Sequence, residues 1–280
     1  MNKKIRYICK LSDEVLKKAH DELNEPLENE RRLEIIDKLL NEYKNKFPDQ
    51  ILSSEECSDS FLLMFLRAKK FDVEKAVETM NNFINRKKIF PEVFELVDHP
   101  TLLKNFLDTR FVTCLEGVAK NNSAILYLRP CFGVDEPKLQ NVFAGVFLSL
   151  NKVLEKEENQ IHGLTMLEDI DFVKSGLIKQ VGPVIAKKMA GMIQDTMPIR
   201  LKNICFVNES TLLDIVFNIM KPFLTQKTKD RIVLVGKEMK LLHDKIDSKY
   251  LPVAYGGLLN EEELNFDQWK QILLGKSTAM

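Results

Sequence analysis

Glu168, Asp169 and Asp171 place three carboxylates at the end of one β-like run, Leu164 to Ile170, and paired carboxylates are the raw material of general acid–base chemistry. A strand alternates its faces, so Asp169 and Asp171 point one way while Glu168 and Ile170 point the other. Glu168 therefore shares a face with Leu164, Met166 and Ile170, all apolar. Two readings stand. Either Glu168 is a lone polar handle inside an apolar cavity, its proton affinity raised by desolvation, or it is a strand-end carboxylate in water or paired with Lys174.

A second group is cationic. Lys227 and Arg231, four apart, share one side of a helical turn, Arg200 and Lys202 precede a strand, and Lys69 ends a helix. Gathered on one rim, these five would bind a polyphosphate. Dispersed, they are an ordinary solvated surface.

Other chemistry is missing its parts. The five cysteines show no CxxC spacing and the four histidines, His20, His99, His162 and His243, fall in separate segments, so no metal site is expected and the thiols read as free. Arg129-Pro130-Cys131-Phe132-Gly133 is no dinucleotide turn. Gly275-Lys276-Ser277 lacks the glycine of a phosphate loop, Lys270 standing in its place. There is no GxSxG elbow. No nucleophile, base and oxyanion site assemble, so no catalytic residues and no cofactor are assigned and the chain is expected not to be an enzyme. Zero formal net charge speaks against nucleic acid as a partner. No apolar run reaches the roughly 18 residues of a membrane span, and the charged start, Met1 to Arg6, leads into no signal-like apolar stretch, so a cytoplasmic protein touching membranes peripherally is expected.

The elements that must position these groups fall into two parts. Residues 11–90 read as helices, with Leu33, Ile36, Leu39, Leu40 and Tyr43 at helical spacing; Asp59 or Ser60 is expected to cap one helix and Asp72 the next. After His99-Pro100 the pattern becomes α/β. Strands are expected at Ile125–Leu128, Leu164–Ile170, Ile204–Val207 and Ile232–Val235, joined by helices over 139–157, 175–196 and 211–223 that are long enough for parallel crossovers. The 211–223 helix is apolar almost all round: Leu212, Leu213, Ile215, Val216, Phe217, Ile219 and Met220 leave Asp214, Asn218 and Lys221 as its polar positions. Such a helix either sits in a protein core or covers something oily. The punctuation at Leu251-Pro252 and Tyr255-Gly256-Gly257 precedes an acidic tail whose Trp269 is expected to pack back on the body. The organisation expected is a helical subdomain over 1–95, an α/β domain over 96–260 and a tail over 261–280.

Asp59-Ser60-Phe61-Leu62-Leu63, Phe65-Leu66-Arg67-Ala68-Lys69 and Phe71-Asp72, then Lys221-Pro222-Phe223-Leu224-Thr225, then Leu251-Pro252 with Tyr255-Gly256-Gly257, resemble in order the motifs of the CRAL-TRIO lipid-carrier family, in particular its retinaldehyde-binding and tocopherol-transfer branch. The segment Lys18 to Glu25 is similar to the retinaldehyde-binding side. The resemblance implies an α/β sheet flooring an apolar cavity, with the helix from Thr211 to Phe223 as a mobile gate. It also implies a basic cleft for a phosphatidylinositol bisphosphate head group, whose matching positions are Lys69, Arg200, Lys227 and Arg231. Glu168 matches a pocket carboxylate of the retinaldehyde binder, Val146 stands where that protein has an aromatic hydroxyl, and Leu150 where tocopherol binders have a serine. The expected lining is Phe143, Val146, Phe147, Leu150, Leu164, Glu168, Met189, Met192, Ile193, Met197, Phe217 and Met220. The function implied is a monomeric, non-enzymatic intracellular carrier of one hydrophobic lipid: an isoprenoid, retinoid, tocopherol or carotenoid-like molecule. The alternatives are a phosphoinositide-sensing signalling or trafficking module and a phospholipid transfer protein.

Overall fold

The computed structural model describes residues 6–131, 133–134, 137–172, 179–209 and 211–277. Four helices open the chain: α1 (Asp13–Leu23), α2 (Asn29–Lys46), α3 (Asp59–Ala68) and α4 (Val73–Ile84). Asp72 caps α4 by accepting from the Lys75 amide at 3.1 Å, as expected of a short acidic side chain at a helix start. The cap of α3 differs from expectation. Ser58 accepts from the Phe61 amide, while Asp59 turns inward to accept from Arg6 Nε at 2.8 Å and the Tyr7 amide at 2.9 Å. The charged arm of Arg6 takes the carboxylate that solvent would otherwise leave free to cap. Ile36, Leu39, Tyr43, Leu62, Phe65, Leu66 and Met80 are fully buried between these helices.

A five-stranded sheet follows, in the order β1 (Val112–Val118), β2 (Ala124–Leu128), β3 (Leu164–Asp169), β4 (Leu201–Val207), β5 (Ile232–Leu234). β1 lies antiparallel to β2 and the other pairs are parallel. The parallel pairs require crossovers. These are α6 (Leu139–Leu154) with α7 (Glu157–His162), then α8 (Pro183–Gly191), then α9 (Thr211–Met220), while α5 (Pro91–Asp98) precedes the sheet and α10 (Phe266–Leu273) closes the fold. The expected helix start at 175–178 lies outside the described residues. A π-helical turn, Met192–Thr196, ends α8.

Both faces of the sheet are covered, as parallel sheets demand. On one face Tyr127, Leu167, Cys205 and Val207 pack with Leu251 and Tyr255. There the Tyr255 hydroxyl donates to Asp169 at 2.6 Å and lies 2.9 Å from that of Tyr127, so Asp169 is spent on structure, with the Asn208 amide as a further donor. A Cβ at Gly257 would collide with the Leu251 carbonyl, which explains the glycine that follows Gly256. The other face looks toward α6. That helix is braced from behind: Phe94 stacks on Phe147 at 5.4 Å, Phe90 meets Phe143 edge-on at 5.9 Å, and Trp269 of α10 donates to Ser149 at 3.1 Å.

The helical part is tied to the sheet part by a buried charge cluster. Glu25 accepts from Arg32 Nε at 2.8 Å and from Arg67 Nε and Nη2 at 2.9 and 3.0 Å, all three residues being fully buried. Arg67 Nη1 reaches across to Glu157 and Gln160 of α7, at 3.0 and 2.9 Å, and Glu157 also accepts from the Tyr7 hydroxyl at 2.6 Å. Removing one partner of such a cluster strands charge in a low-dielectric interior. Glu25→Ala is expected to lower stability by about 3–5 kcal/mol, read as a fall in the urea denaturation midpoint.

Candidate functional site

A cavity of about 210 Å³ lies between the inward face of the sheet, α6 and α9. Its floor follows the strand register: Leu128, Glu168 and Phe206 lie in one row, Met166, Ile204 and Ile232 in the next. Its long wall is a stripe of α6 at helical spacing, Leu139, Val142, Phe143, Val146, Phe147 and Leu150. Met189 and Ile193 form a second wall. The roof is Leu213, Val216, Phe217 and Met220 of α9, continued by Leu224 and Thr228. The opposite side of α9 faces out, with Asp214, Ile215 and Asn218 exposed. The apolar helix is thus a cover over a hollow.

Nine of the expected lining residues, Phe143, Val146, Phe147, Leu150, Glu168, Met189, Ile193, Phe217 and Met220, stand on the wall. Leu164, Met192 and Met197 do not: each is at most 1% exposed, within the surrounding packing. Leu164 sits at the amino end of β3, away from the row of Glu168. Met192 and Met197 are turned by the π-helical turn, which inserts a residue and rotates the side chains after Gly191. Met166, Leu213 and Val216 were legible as strand and helix periodicity but are additions to the expected set.

Two polar residues reach this lining, Glu168 and Thr228, and Thr228 is already satisfied by donating to Gln194 at 2.8 Å. Glu168 forms no hydrogen bond or ion pair among the described residues, and Lys174, its alternative partner, lies outside them. Burial pushes its carboxyl up to about 7. Glu168 is half-buried and lines the cavity.

The cations converge beside the roof. Lys69, the C-cap of α3, donates to the Gln194 carbonyl at 3.2 Å. Lys227 sits in the turn Gln226–Lys229; burial lowers its proton affinity, and the nearby charges of Arg231, Lys70, Lys69 and Arg200 lower it further. Arg231 is likewise lowered by burial and by Arg200. Neither Lys227 nor Arg231 has a salt bridge among the described residues, whereas Arg200 pairs with Glu22 at 3.0 Å. Lys202 lies with Glu22 as well, at 3.5 Å. Lys70 was not among the expected residues; it joins the group through a left-handed turn, φ +56° at Lys70 and +58° at Phe71, that spacing does not reveal. No cluster of metal-ligating side chains and no helix long and apolar enough to cross a membrane occur among the described residues.

A helical amino-terminal part, a mixed sheet and a roofed apolar hollow define an α/β protein built around an internal cavity. The CRAL/TRIO domain model matches residues 108–257 and that of the CRAL/TRIO N-terminal domain residues 13–82, so the chain belongs to the CRAL/TRIO family. It is 34% identical to the alpha-tocopherol transfer protein-like proteins of Mus musculus and Homo sapiens, over 96% of this chain and 76% of theirs. It is 28% identical to clavesin-1 of Pongo abelii, over 95% of this chain and 73% of that one. Among solved structures, the crystal structure of Sfh5 aligns over 92% of both chains at 17% identity with a TM-score of 0.43, too weak a likeness to carry weight.

The Glu168 environment has a measurable signature. Unfolded, this carboxyl ionises near its ordinary 4.5; folded, it holds its proton up to about 7. Across that window the unfolded chain releases a proton that the folded chain keeps, so stability falls as pH rises, by up to about 3 kcal/mol. Glu168→Gln is expected to remove this component and to make the ligand-free protein the more stable of the two above about pH 7. Urea midpoints of both proteins, taken below and above the window, check it.

Proposed function

We propose that the chain is a non-enzymatic carrier that holds one hydrophobic lipid beneath α9 and exchanges it at membranes bearing phosphoinositides. The observation that supports this most directly is the roofed apolar hollow beside Lys69, Lys227 and Arg231, which have no salt bridge among the described residues. Relatives named for tocopherol transfer favour a neutral lipid with a long tail and a small polar end. The tail would lie along the α6 stripe, and the Glu168 carboxyl would meet the polar end.

Burial of such a tail contributes about 0.8 kcal/mol per methylene, which holds the cargo during diffusion. The hollow is smaller than the about 300–1,000 Å³ of ordinary small-molecule sites. Loading therefore moves the roof outward or rearranges Met166, Met189 and Met220, whose unbranched side chains adapt easily. At a membrane each basic side chain near anionic lipid contributes on the order of 1 kcal/mol, so Lys69, Arg200, Lys227 and Arg231 hold the protein for the time of an exchange. With Ile215 already outward on α9, acyl chains replace water against the helix, and opening costs less there than in solution.

Lys227→Ala with Arg231→Ala is expected to slow transfer of a bound fluorescent polyene to vesicles containing phosphatidylinositol bisphosphate by about thirtyfold, from the loss of about 2 kcal/mol. Transfer to plain phosphatidylcholine vesicles should hardly change. Equal rates with the parent protein on both vesicles would remove the head-group role. Phe217→Asp sets a charge in a desolvated roof, and polyene loading is expected to drop sharply. Native mass spectrometry of the freshly purified protein separates the carrier from a sensor: a stoichiometric co-purified lipid supports the first.

A further inference from the structure

Gln194 lies in the π-helical turn Met192–Thr196, next to the wall residue Ile193, and its side-chain amide spans to the segment that follows α9. Its Nε2 donates to the Phe223 carbonyl at 3.1 Å, and its Oε1 accepts from the Thr225 amide at 2.7 Å and from the Thr228 hydroxyl at 2.8 Å. Phe223 ends the 3₁₀ turn that extends α9, and Thr225 caps the turn carrying Lys227. One side chain thus fixes both the root of the roof helix and the cationic turn. Its backbone carbonyl, in addition, is the acceptor for Lys69.

We propose that Gln194 is a latch at the root of the roof helix, and the residue through which an anion held by Lys69 and Lys227 loosens that helix; this rests on the carrier reading above. A phosphate oxygen is a stronger acceptor for an ammonium than a neutral carbonyl, because both partners are charged. Lys69, desolvated and without a salt bridge among the described residues, turns from the Gln194 carbonyl to the phosphate. The same phosphate draws Lys227 and, with it, the Thr225 and Thr228 ends of the latch. The three hydrogen bonds of the Gln194 side chain are strained or lost together, since all end on the six-residue segment 223–228. The roof then opens where a phosphorylated lipid head group is present and stays shut where it is absent. Gln194 is a positioning residue: it acts through α9 and touches no cargo.

The test uses full-length protein loaded with a fluorescent polyene and mixed with phosphatidylcholine vesicles, with or without phosphatidylinositol bisphosphate. Gln194→Leu is expected to speed release to plain vesicles by about tenfold, equivalent to about 1.4 kcal/mol, and to shrink the additional gain from bisphosphate correspondingly. Gln194→Glu, which keeps both accepted bonds, should lie between Gln194→Leu and the parent. Parent-like rates in Gln194→Leu, the same acceleration on both vesicles, or a Gln194→Glu protein as fast as Gln194→Leu would overturn the latch. Trp269 fluorescence, remote from the turn, verifies that each variant is folded. A second readout needs no cargo: amide hydrogen exchange over residues 213–228 should quicken in the parent when soluble inositol trisphosphate is added, and be quick without it in Gln194→Leu. If the parent loads no polyene, the carrier reading falls, and this exchange measurement decides the latch by itself.

Discussion

A hollow apolar interior has to be held open against its own tendency to collapse. Left empty, a cavity of about 210 Å³ costs on the order of 5 kcal/mol by the relation known for engineered core cavities. Much of the molecule is explicable as bracing against that penalty. The α6 wall has aromatic rings of α5 and the indole of α10 behind it, and the sheet has a second packed layer with the Tyr127, Tyr255 and Asp169 hydrogen bonds. The roof helix is different: its outer side, at Asp214, Ile215 and Asn218, meets solvent. The α6 wall and the sheet are backed by packed residues, and the roof helix is held at its root by Gln194.

Electrostatics divides along the same line. Glu168 stands within the hollow with no partner among the described residues, so its charged form is disfavoured and the interior stays close to neutral. The cations gather outside the roof, where water and counterions moderate their mutual repulsion while leaving an anion-seeking surface. The two features lie on opposite sides of one thin layer of helix and turn, which is why the segment 223–228 borders both: Leu224 and Thr228 face the hollow while Lys227 belongs to the cationic group.

Much of this was legible in the residues. The α6 stripe and the α9 stripe repeat at three and four residues, the alternation of β3 separates Glu168 from Asp169, and Asp72 behaves as a cap. What escaped has local physical causes. β1 mixes Glu116 and Gly117 into its exposed end and carries a bulge against β2, so its alternation is blurred. The π-helical turn Met192–Thr196 breaks the 3.6-residue period, and Met192 and Met197, expected in the lining from the family resemblance, are packed away from it. Ser58 displaced Asp59 as a cap because a distant arginine, Arg6, claims the carboxylate, and Lys70 enters the cationic group through backbone torsions that no side-chain pattern encodes.

The buried cluster around Glu25 bears on how the two halves of the chain can be combined. Arg67 belongs to the stretch matched by one family model, and Glu157 and Gln160 to the stretch matched by the other. A guanidinium with no water around it tolerates no mismatch in its acceptors. A chimaera that joined this amino-terminal half to a sheet half lacking acceptors at 157 and 160 would therefore strand the Arg67 charge at the joint and lose stability.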